Sequence, residues 1–224
     1  MLTKKELAKY IDHTLLKPTA TFEEIKTLCL EAKEYGFYSV CVNSCYVKHA
    51  VNILEGSDVR VAVTVGFPLG AMTTASKVFE ATEAVKSGAA ETDMVMNVGL
   101  LKSGDFYGVQ EDIAQVVKGV KAINDKAKVK VILEMGCLDE NEKVSACQLA
   151  KAAGADFVKT STGFGYGGAT VKDVQLMRKI VGDTMGVKAS GGIRDAKTAL
   201  DMIEAGATRI GASAGITIIQ DYKQ

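Results

Sequence analysis

Short apolar runs alternate with longer amphipathic stretches along the whole chain, and this pair recurs eight times in 224 residues. The amphipathic stretches carry apolar residues at three- and four-residue spacing and several end on glycine, as in Ile25, Leu28, Cys29, Ala32 and Gly36. The runs between them are mostly apolar on both faces, which is typical of strands in a parallel sheet that helices cover. Eight such units with short connections predict an α/β fold, a closed (β/α)8 barrel.

Turn and capping signals predict where the elements begin and end. We expect strands at residues 10–16, 37–42, 59–65, 91–97 and 129–134, with Lys159 closing the sixth, Lys188 on the seventh and residues 208–211 as the eighth. Thr3 and Glu6 form a capping box that predicts a short N-terminal helix over residues 4–10, and Ser213 is expected to begin a last short helix.

The length of the chain bears on its domain organisation. Barrels of this size form one unit, so residues 1–224 are expected to be a single domain. An open, doubly wound sheet is the alternative fold. No Gly-x-Gly-x-x-Gly pattern follows the first predicted strand, so that alternative lacks its main dinucleotide-binding signal.

The charge pattern excludes several classes of partner. The chain has 27 basic and 27 acidic residues and no basic run, so we expect neither nucleic acid nor an anionic membrane as a partner. No apolar segment approaches membrane-spanning length, and the first residues lack the apolar core of a signal peptide. We therefore expect a cytoplasmic protein that acts on small molecules.

Cysteine and histidine usage bears on redox chemistry and on metals. Five cysteines are scattered through apolar segments, which favours buried reduced thiols over a disulfide framework. Cys41 and Cys45 are four residues apart, but the chain has only two histidines and no second ligand pair at a suitable spacing. We expect no metal site.

One lysine stands where an apolar run gives way to a loop rich in hydroxyls and glycine. Phe157 and Val158 precede Lys159, and Thr-Ser-Thr-Gly-Phe follows it. A lysine in apolar surroundings and near another cation loses proton affinity, and its neutral amine can attack a carbonyl to form a Schiff base. A matching run one unit later carries Lys188. The alternative is that each lysine ends a strand and reaches solvent.

The functional groups of such a barrel gather at the carboxyl ends of its strands. The polar residues predicted there are Asp12, Asn43, Asp93, Asn97, Glu134, Lys159, Thr162 and Lys188. For Asp93 two roles remain open, a structural counter-ion or a proton carrier that works with Lys188. As a neighbouring cation, Lys188 would lower the pKa of Lys159 by like-charge repulsion.

Three late loops are rich in glycine and small residues: 163–168, 190–192 and 211–213. Their unhindered backbone N–H groups are typical of a barrel that binds phosphate after its last strands. The alternative for any one loop is a tight turn without a ligand. We predict that substrate or its phosphate contacts these residues: Asp12, Thr162, Gly163, Gly191, Gly192, Gly211 and Ser213.

Six motifs in order resemble those of the class I deoxyribose-phosphate aldolases: residues 11–18, 66–70, 93–97, 158–164, 188–194 and 209–213. The resemblance covers essentially the whole chain. It implies a TIM barrel without metal or cofactor, Lys159 as the Schiff-base lysine, and Asp93 with Lys188 as the proton-transfer pair. The implied reaction is the reversible cleavage of 2-deoxy-D-ribose 5-phosphate to acetaldehyde and D-glyceraldehyde 3-phosphate.

Two positions depart from that family pattern. Met135 follows Glu134 where a threonine is usual, and the chain finishes with Tyr222 followed by two further residues, where the family often has a terminal tyrosine that reaches the site. Two other functions remain open, a different sugar-phosphate reaction in the same barrel and a barrel that binds sugar phosphates without turnover. A homo-oligomer, either dimer or tetramer, is also left open.

Overall fold

A computed structural model describes residues 2–223, and its eight strands close into a parallel barrel in sequence order, with β8 pairing to β1. The strands are β1 (Ile11–Leu15), β2 (Ser39–Val42), β3 (Arg60–Val65), β4 (Glu91–Val95), β5 (Lys128–Ile132), β6 (Phe157–Lys159), β7 (Gly186–Ser190) and β8 (Arg209–Ala212). This confirms the predicted (β/α)8 barrel. The expected strands at 10–16, 91–97 and 129–134 are each shorter than predicted.

Helices follow every strand and surround the barrel. They are α1 (Lys4–Ala8), α2 (Phe22–Tyr35), α3 (Val47–Leu54), α4 (Thr74–Lys86), α5 (Val98–Lys102), α6 (Phe106–Ile123), α7 (Glu140–Ala152), α8 (Val171–Val181), α9 (Ala196–Glu204) and α10 (Gly215–Asp221). Within the described part of the chain, no helix is long and apolar enough to span a bilayer.

Side chains at the helix ends explain where several elements begin. Thr3 and Glu6 form the predicted capping box of α1. The side chain of Asn97 accepts a hydrogen bond from the backbone N–H of Leu100 and starts α5, so β4 ends at Val95 rather than at Asn97. The last helix begins two residues after Ser213, the position expected for its start.

The main hydrophobic core lies between the outer faces of the strands and the helices. Alternate residues of each strand face it; on β3 these are Val61, Val63 and Val65. The residue between the first two, Ala62, belongs instead to a small separate cluster with Leu16 and Cys41. The inward faces of the strands therefore contribute little to the apolar core, and they are free to carry polar groups.

Candidate active site

Seven charged side chains point into the barrel and are almost fully buried, each with at most 4% of its surface exposed. They are Asp12, Glu91, Asp93, Lys130, Lys159, Lys188 and Arg209. Strand alternation places them there, because residues two apart on a strand share a face and barrel closure directs that face inward. Buried charges are tolerated where each finds an opposite charge.

Asp93 lies at the centre of this group and accepts from three lysines. Lys130 donates to its Oδ1 at 2.6 Å, and Oδ2 accepts from Lys159 at 2.9 Å and from Lys188 at 2.7 Å. Burial alone would raise the pKa of Asp93, but these three cations outweigh it and hold the pKa well below its usual range. Asp93 is therefore a carboxylate in the resting protein.

Asp12 is the second carboxylate that contacts Lys188. The Nζ of Lys188 lies 2.5 Å from Oδ2 of Asp12, while Oδ1 accepts from Ser39 at 2.7 Å and from Arg209 at 2.9 Å. Burial opposes the charge of Asp12, yet Lys188 and Arg209 lower its pKa. Asp12 thus stays ionised and holds Lys188 in place.

The two predicted lysines differ in their affinity for a proton. Burial lowers the pKa of Lys159; Asp93 partly opposes this, and the nearby Lys188 cation adds to it. Burial also disfavours the charge on Lys188, but Asp12 and Asp93 outweigh burial and raise its pKa. Lys188 therefore keeps its proton while Lys159 releases one more readily, the division that a nucleophilic amine requires.

A cavity of about 390 Å³ opens above this group at the carboxyl ends of the strands. Seven of the predicted site residues line it: Lys159, Thr162, Gly163, Gly191, Gly192, Gly211 and Ser213. Lys159 is the buried charged side chain of this lining; Lys17 and Arg194 also line the cavity and are exposed. Asp12, Asp93 and Lys188 do not line the cavity and lie beneath it. We expected Asp12 to contact substrate directly. That contact does not fit this placement, because Asp12 is fully buried against its three partners.

At two of the predicted glycines, Gly191 and Gly211, a side chain would not fit, and the physical reason differs between them. Gly191 has a φ of 89°, and a Cβ there would approach the Cα of Gly168 to 2.9 Å, so this loop packs closely against the loop that follows β6. Gly211 lies on β8, where a Cβ would come within 2.9 Å of the Cε of Lys188. Gly211 therefore makes room for the Lys188 side chain as well as lining the cavity.

The other polar residues predicted at the strand ends lie outside the lining of this cavity. Asn97 caps α5, and Asn43 donates to the carbonyl of Leu16 at 3.3 Å. Glu134 has a φ of 54° and accepts from the backbone N–H of Thr162 at 3.2 Å. It lines a neighbouring cavity of about 800 Å³, which shares Thr162 with the first one.

Sequence reasoning missed Glu91, Lys130 and Arg209, and it placed Asp93 and Lys188 at strand ends although both lie mid-strand. A usable signal was present. Glu91 is two residues before Asp93, and Lys130 stands between two valines, so alternation alone places each charge opposite an apolar face.

The structure places both residues that depart from the family pattern. Met135 is 1% exposed in the main core, and its backbone N–H donates to the carbonyl of Thr160 at 2.9 Å. It lines neither cavity. The hydroxyl of Tyr222 donates to the carbonyl of Leu2 at 2.5 Å, just before α1 and the amino end of β1. Tyr222 is therefore held at the end of the barrel opposite the cavity of about 390 Å³.

Within residues 2–223 no three histidine, cysteine, aspartate or glutamate side chains are grouped so as to hold a metal ion. The buried carboxylates are instead engaged by lysines and by Arg209.

The barrel holds an amine of lowered pKa at the base of a cavity, beside a carboxylate and a second lysine. These are the groups of an enzyme whose lysine attacks the carbonyl carbon of its substrate. Residues 7–221 match the family of DeoC/LacD family aldolases, and the chain belongs to that family.

Several similar proteins are named deoxyribose-phosphate aldolases. The deoxyribose-phosphate aldolase of Caldanaerobacter subterraneus is 60% identical, over 100% of this chain and 98% of its own. That of Thermococcus kodakarensis is 60% identical, over 98% of each chain. Among solved structures, the deoxyribose phosphate aldolase of Aeropyrum pernix, described as tetrameric, superposes with a TM-score of 0.91 at 34% identity, over 97% of this chain and 91% of its own.

Proposed function

We propose that this protein reversibly cleaves 2-deoxy-D-ribose 5-phosphate to acetaldehyde and D-glyceraldehyde 3-phosphate through a Schiff base on Lys159. One observation carries the proposal: Lys159, a buried lysine with a lowered pKa, lines the cavity of about 390 Å³, which is called the catalytic cavity from here on. The names of the similar proteins support the same substrate.

The chemistry begins with attack of the neutral Lys159 amine on the C1 aldehyde of the open-chain sugar. Loss of water gives an iminium, which withdraws electrons from C2. A base removes the proton of the C3 hydroxyl, the C2–C3 bond breaks, and its electron pair forms the enamine. Glyceraldehyde 3-phosphate leaves, the enamine takes a proton at C2, and hydrolysis of the iminium releases acetaldehyde.

The protein's part in moving protons rests on one carboxylate oxygen. Oδ2 of Asp93 accepts from both Lys159 and Lys188, so this one oxygen can take up a proton that Lys159 releases, while the protonated Lys188 donates to the same oxygen. Both lysines and Asp93 are buried, which strengthens these interactions. We assign Lys159 as nucleophile and Asp93 with Lys188 as the proton-transfer pair.

The phosphate is assigned to the loops after β6, β7 and β8, which line one side of the same cavity. Positive φ values at Gly163, Gly191 and Gly192 leave their backbone unhindered toward a ligand. Ser213 is exposed at the rim and adds a hydroxyl. With this assignment the phosphate and the aldehyde carbon occupy different parts of one cavity, which suits a substrate that carries them at opposite ends.

Three further assignments belong to the same proposal. We propose that residues 1–224 work as one domain, and that the protein acts in the cytoplasm, which the five free thiols support. We also propose that it assembles as a homo-oligomer, dimer or tetramer. The tetrameric description of the Aeropyrum pernix protein supports assembly.

The test is borohydride trapping with acetaldehyde, followed by intact-mass and peptide-mass spectrometry. The wild type should gain the mass of an N-ethyl group on the peptide that contains Lys159, and Lys159→Met should gain none. Lys102→Met is the matched control, since Lys102 lines the neighbouring cavity and should not affect the adduct.

Two results would contradict the proposal. An adduct on another lysine of the Lys159→Met variant would move the nucleophile elsewhere. Turnover of the sugar phosphate without any trapped adduct in the wild type would indicate proton abstraction rather than imine chemistry.

A further inference from the structure

The buried charges beneath the cavity form a closed ring of alternating sign. On one side, Asp93 contacts Lys188 at 2.7 Å, and Lys188 contacts Asp12 at 2.5 Å. Asp12 contacts Arg209 at 2.9 Å. The ring closes on the other side, where Arg209 contacts Glu91 at 2.9 Å, Glu91 contacts Lys130 at 2.6 Å, and Lys130 returns to Asp93 at 2.6 Å.

The lower members of this ring lie away from the substrate. Glu91 and Arg209 are the first residues of β4 and β8, so they stand nearest the amino end of the barrel. Neither lines the catalytic cavity. The guanidinium of Arg209 lies 3.4 Å from the centre of the Tyr38 ring, and Arg60 stacks on the same ring at 4.6 Å. Arg209 is therefore fixed by an aromatic face as well as by two carboxylates.

We propose that Glu91 and Arg209 are positioning residues that set the protonation state of Lys159 through this ring. The inference rests on the proposed function, because it takes Lys159 as the nucleophile. It goes further by assigning a catalytic consequence to two residues that cannot touch substrate.

The reasoning is one of charge balance in a buried space. The ring holds three carboxylates and three cations, Lys130, Lys188 and Arg209, so it is neutral without Lys159. Lys159 is the seventh charged group, and within residues 2–223 its salt bridge to Asp93 is the only one it makes. A proton on Lys159 leaves one uncompensated positive charge in the barrel, which burial makes unfavourable. The lowered pKa of Lys159 agrees with this count.

The groups that face Lys159 come from several strands. They are Asp93 on β4, Lys188 on β7 and the buried thiol of Cys41 on β2. The pKa of Cys41 is raised by burial and by Asp93, so the thiol is uncharged at neutral pH. Changes in the balance of the ring therefore reach Lys159 chiefly through Asp93 and Lys188.

The balance predicts shifts of opposite sign for two variants. Glu91→Gln removes a negative charge, so Lys159 should lose its proton at lower pH. Arg209→Gln removes a positive charge, so Lys159 should keep its proton to higher pH. The double variant Glu91→Gln/Arg209→Gln restores the balance and should behave like the wild type.

The experiment measures the rate of borohydride trapping with acetaldehyde against pH. We expect the midpoint to move down in Glu91→Gln and up in Arg209→Gln, each by at least about half a pH unit, with the double variant near the wild-type midpoint. Asp112→Asn is the control for a broken buried pair, since Asp112 binds Lys77 between α4 and α6, outside the ring. It should lower stability without moving the midpoint.

The outcomes separate this inference from the proposed function. Normal adduct with unmoved midpoints, or with both midpoints moved the same way, overturns the inference and leaves the function standing. Absence of adduct from the wild type at every pH overturns both. If Arg209→Gln does not fold, Arg209→Lys keeps the charge and should keep the wild-type midpoint, while the downward shift in Glu91→Gln still decides the question.

Discussion

Lys159 and Lys188 occupy paired positions on the neighbouring strands β6 and β7, and both donate to the same oxygen of one carboxylate. Two ammonium groups held so close cannot both keep their protons easily. Lys188 contacts a second carboxylate, Asp12, whereas Lys159 contacts no second carboxylate among the residues that the structure describes. This asymmetry determines which lysine becomes the neutral amine.

Lys188→Met should shift the reactivity of Lys159 to higher pH. Without Lys188 the barrel retains three carboxylates but only two other cations, so a proton on Lys159 becomes favourable and its pKa rises. Each unit of rise costs about tenfold in neutral amine well below that pKa. Trapping at pH 7 should fall strongly and recover as the pH is raised, measured against Lys102→Met. An unchanged pH profile would limit Lys188 to proton transfer.

Ser213→Asp should weaken binding of the phosphorylated sugar selectively. Ser213 is exposed at the cavity rim, and a carboxylate there would repel the phosphate dianion. We expect KM for deoxyribose 5-phosphate to rise by about tenfold or more, since about 1.4 kcal/mol of repulsion gives that factor. Ser213→Asn is the neutral control of the same shape. An equal rise in KM for deoxyribose lacking phosphate would argue against a phosphate site.

Lys159→Met should stabilise the folded protein while it removes activity. The folded-state pKa of Lys159 lies below its unfolded value, so the unfolded chain binds the proton more tightly and the wild type loses stability as the pH falls from about 10.5. The gain in melting temperature should therefore be largest at low pH and shrink as the pH rises toward 10.5. A gain that does not vary with pH would assign the effect to packing alone.

Chelation should leave turnover unchanged. The electron sink in the proposed reaction is the iminium on Lys159, and the buried carboxylates are already engaged by lysines and by Arg209. Activity after dialysis against EDTA should equal that of a mock-dialysed sample. Loss of activity that zinc restores would contradict the Schiff-base assignment.

Much of the fold was predictable because its signals are local. Apolar spacing and the capping box at Thr3 predicted helices that the structure contains, and the eightfold alternation predicted the barrel. The errors fall at strand ends. Asn97 caps α5 where we expected strand, because its side chain satisfies a free backbone N–H of the helix.

The candidate site, like the fold, was predictable from sequence where its signals are local. Lys159, Lys188 and the glycine loops could be found from sequence, because an apolar run that ends in a lysine and a flexible loop is a local pattern. Met135 and Tyr222 could not be placed, because their positions depend on what packs around them. The structure puts one in the core and the other beside Leu2.

The sequence by itself therefore determined the number of units, the candidate nucleophile and the loops around the cavity, since each depends on residues close together in the chain. Only the tertiary structure decided the charge ring beneath Lys159. Arg209 and Glu91 are 118 positions apart, and they meet because the register of β8 against β1 and closure of the barrel bring the first residues of β4 and β8 together. Spacing along a strand indicates which side chains face inward; only closure of the sheet determines which of them touch.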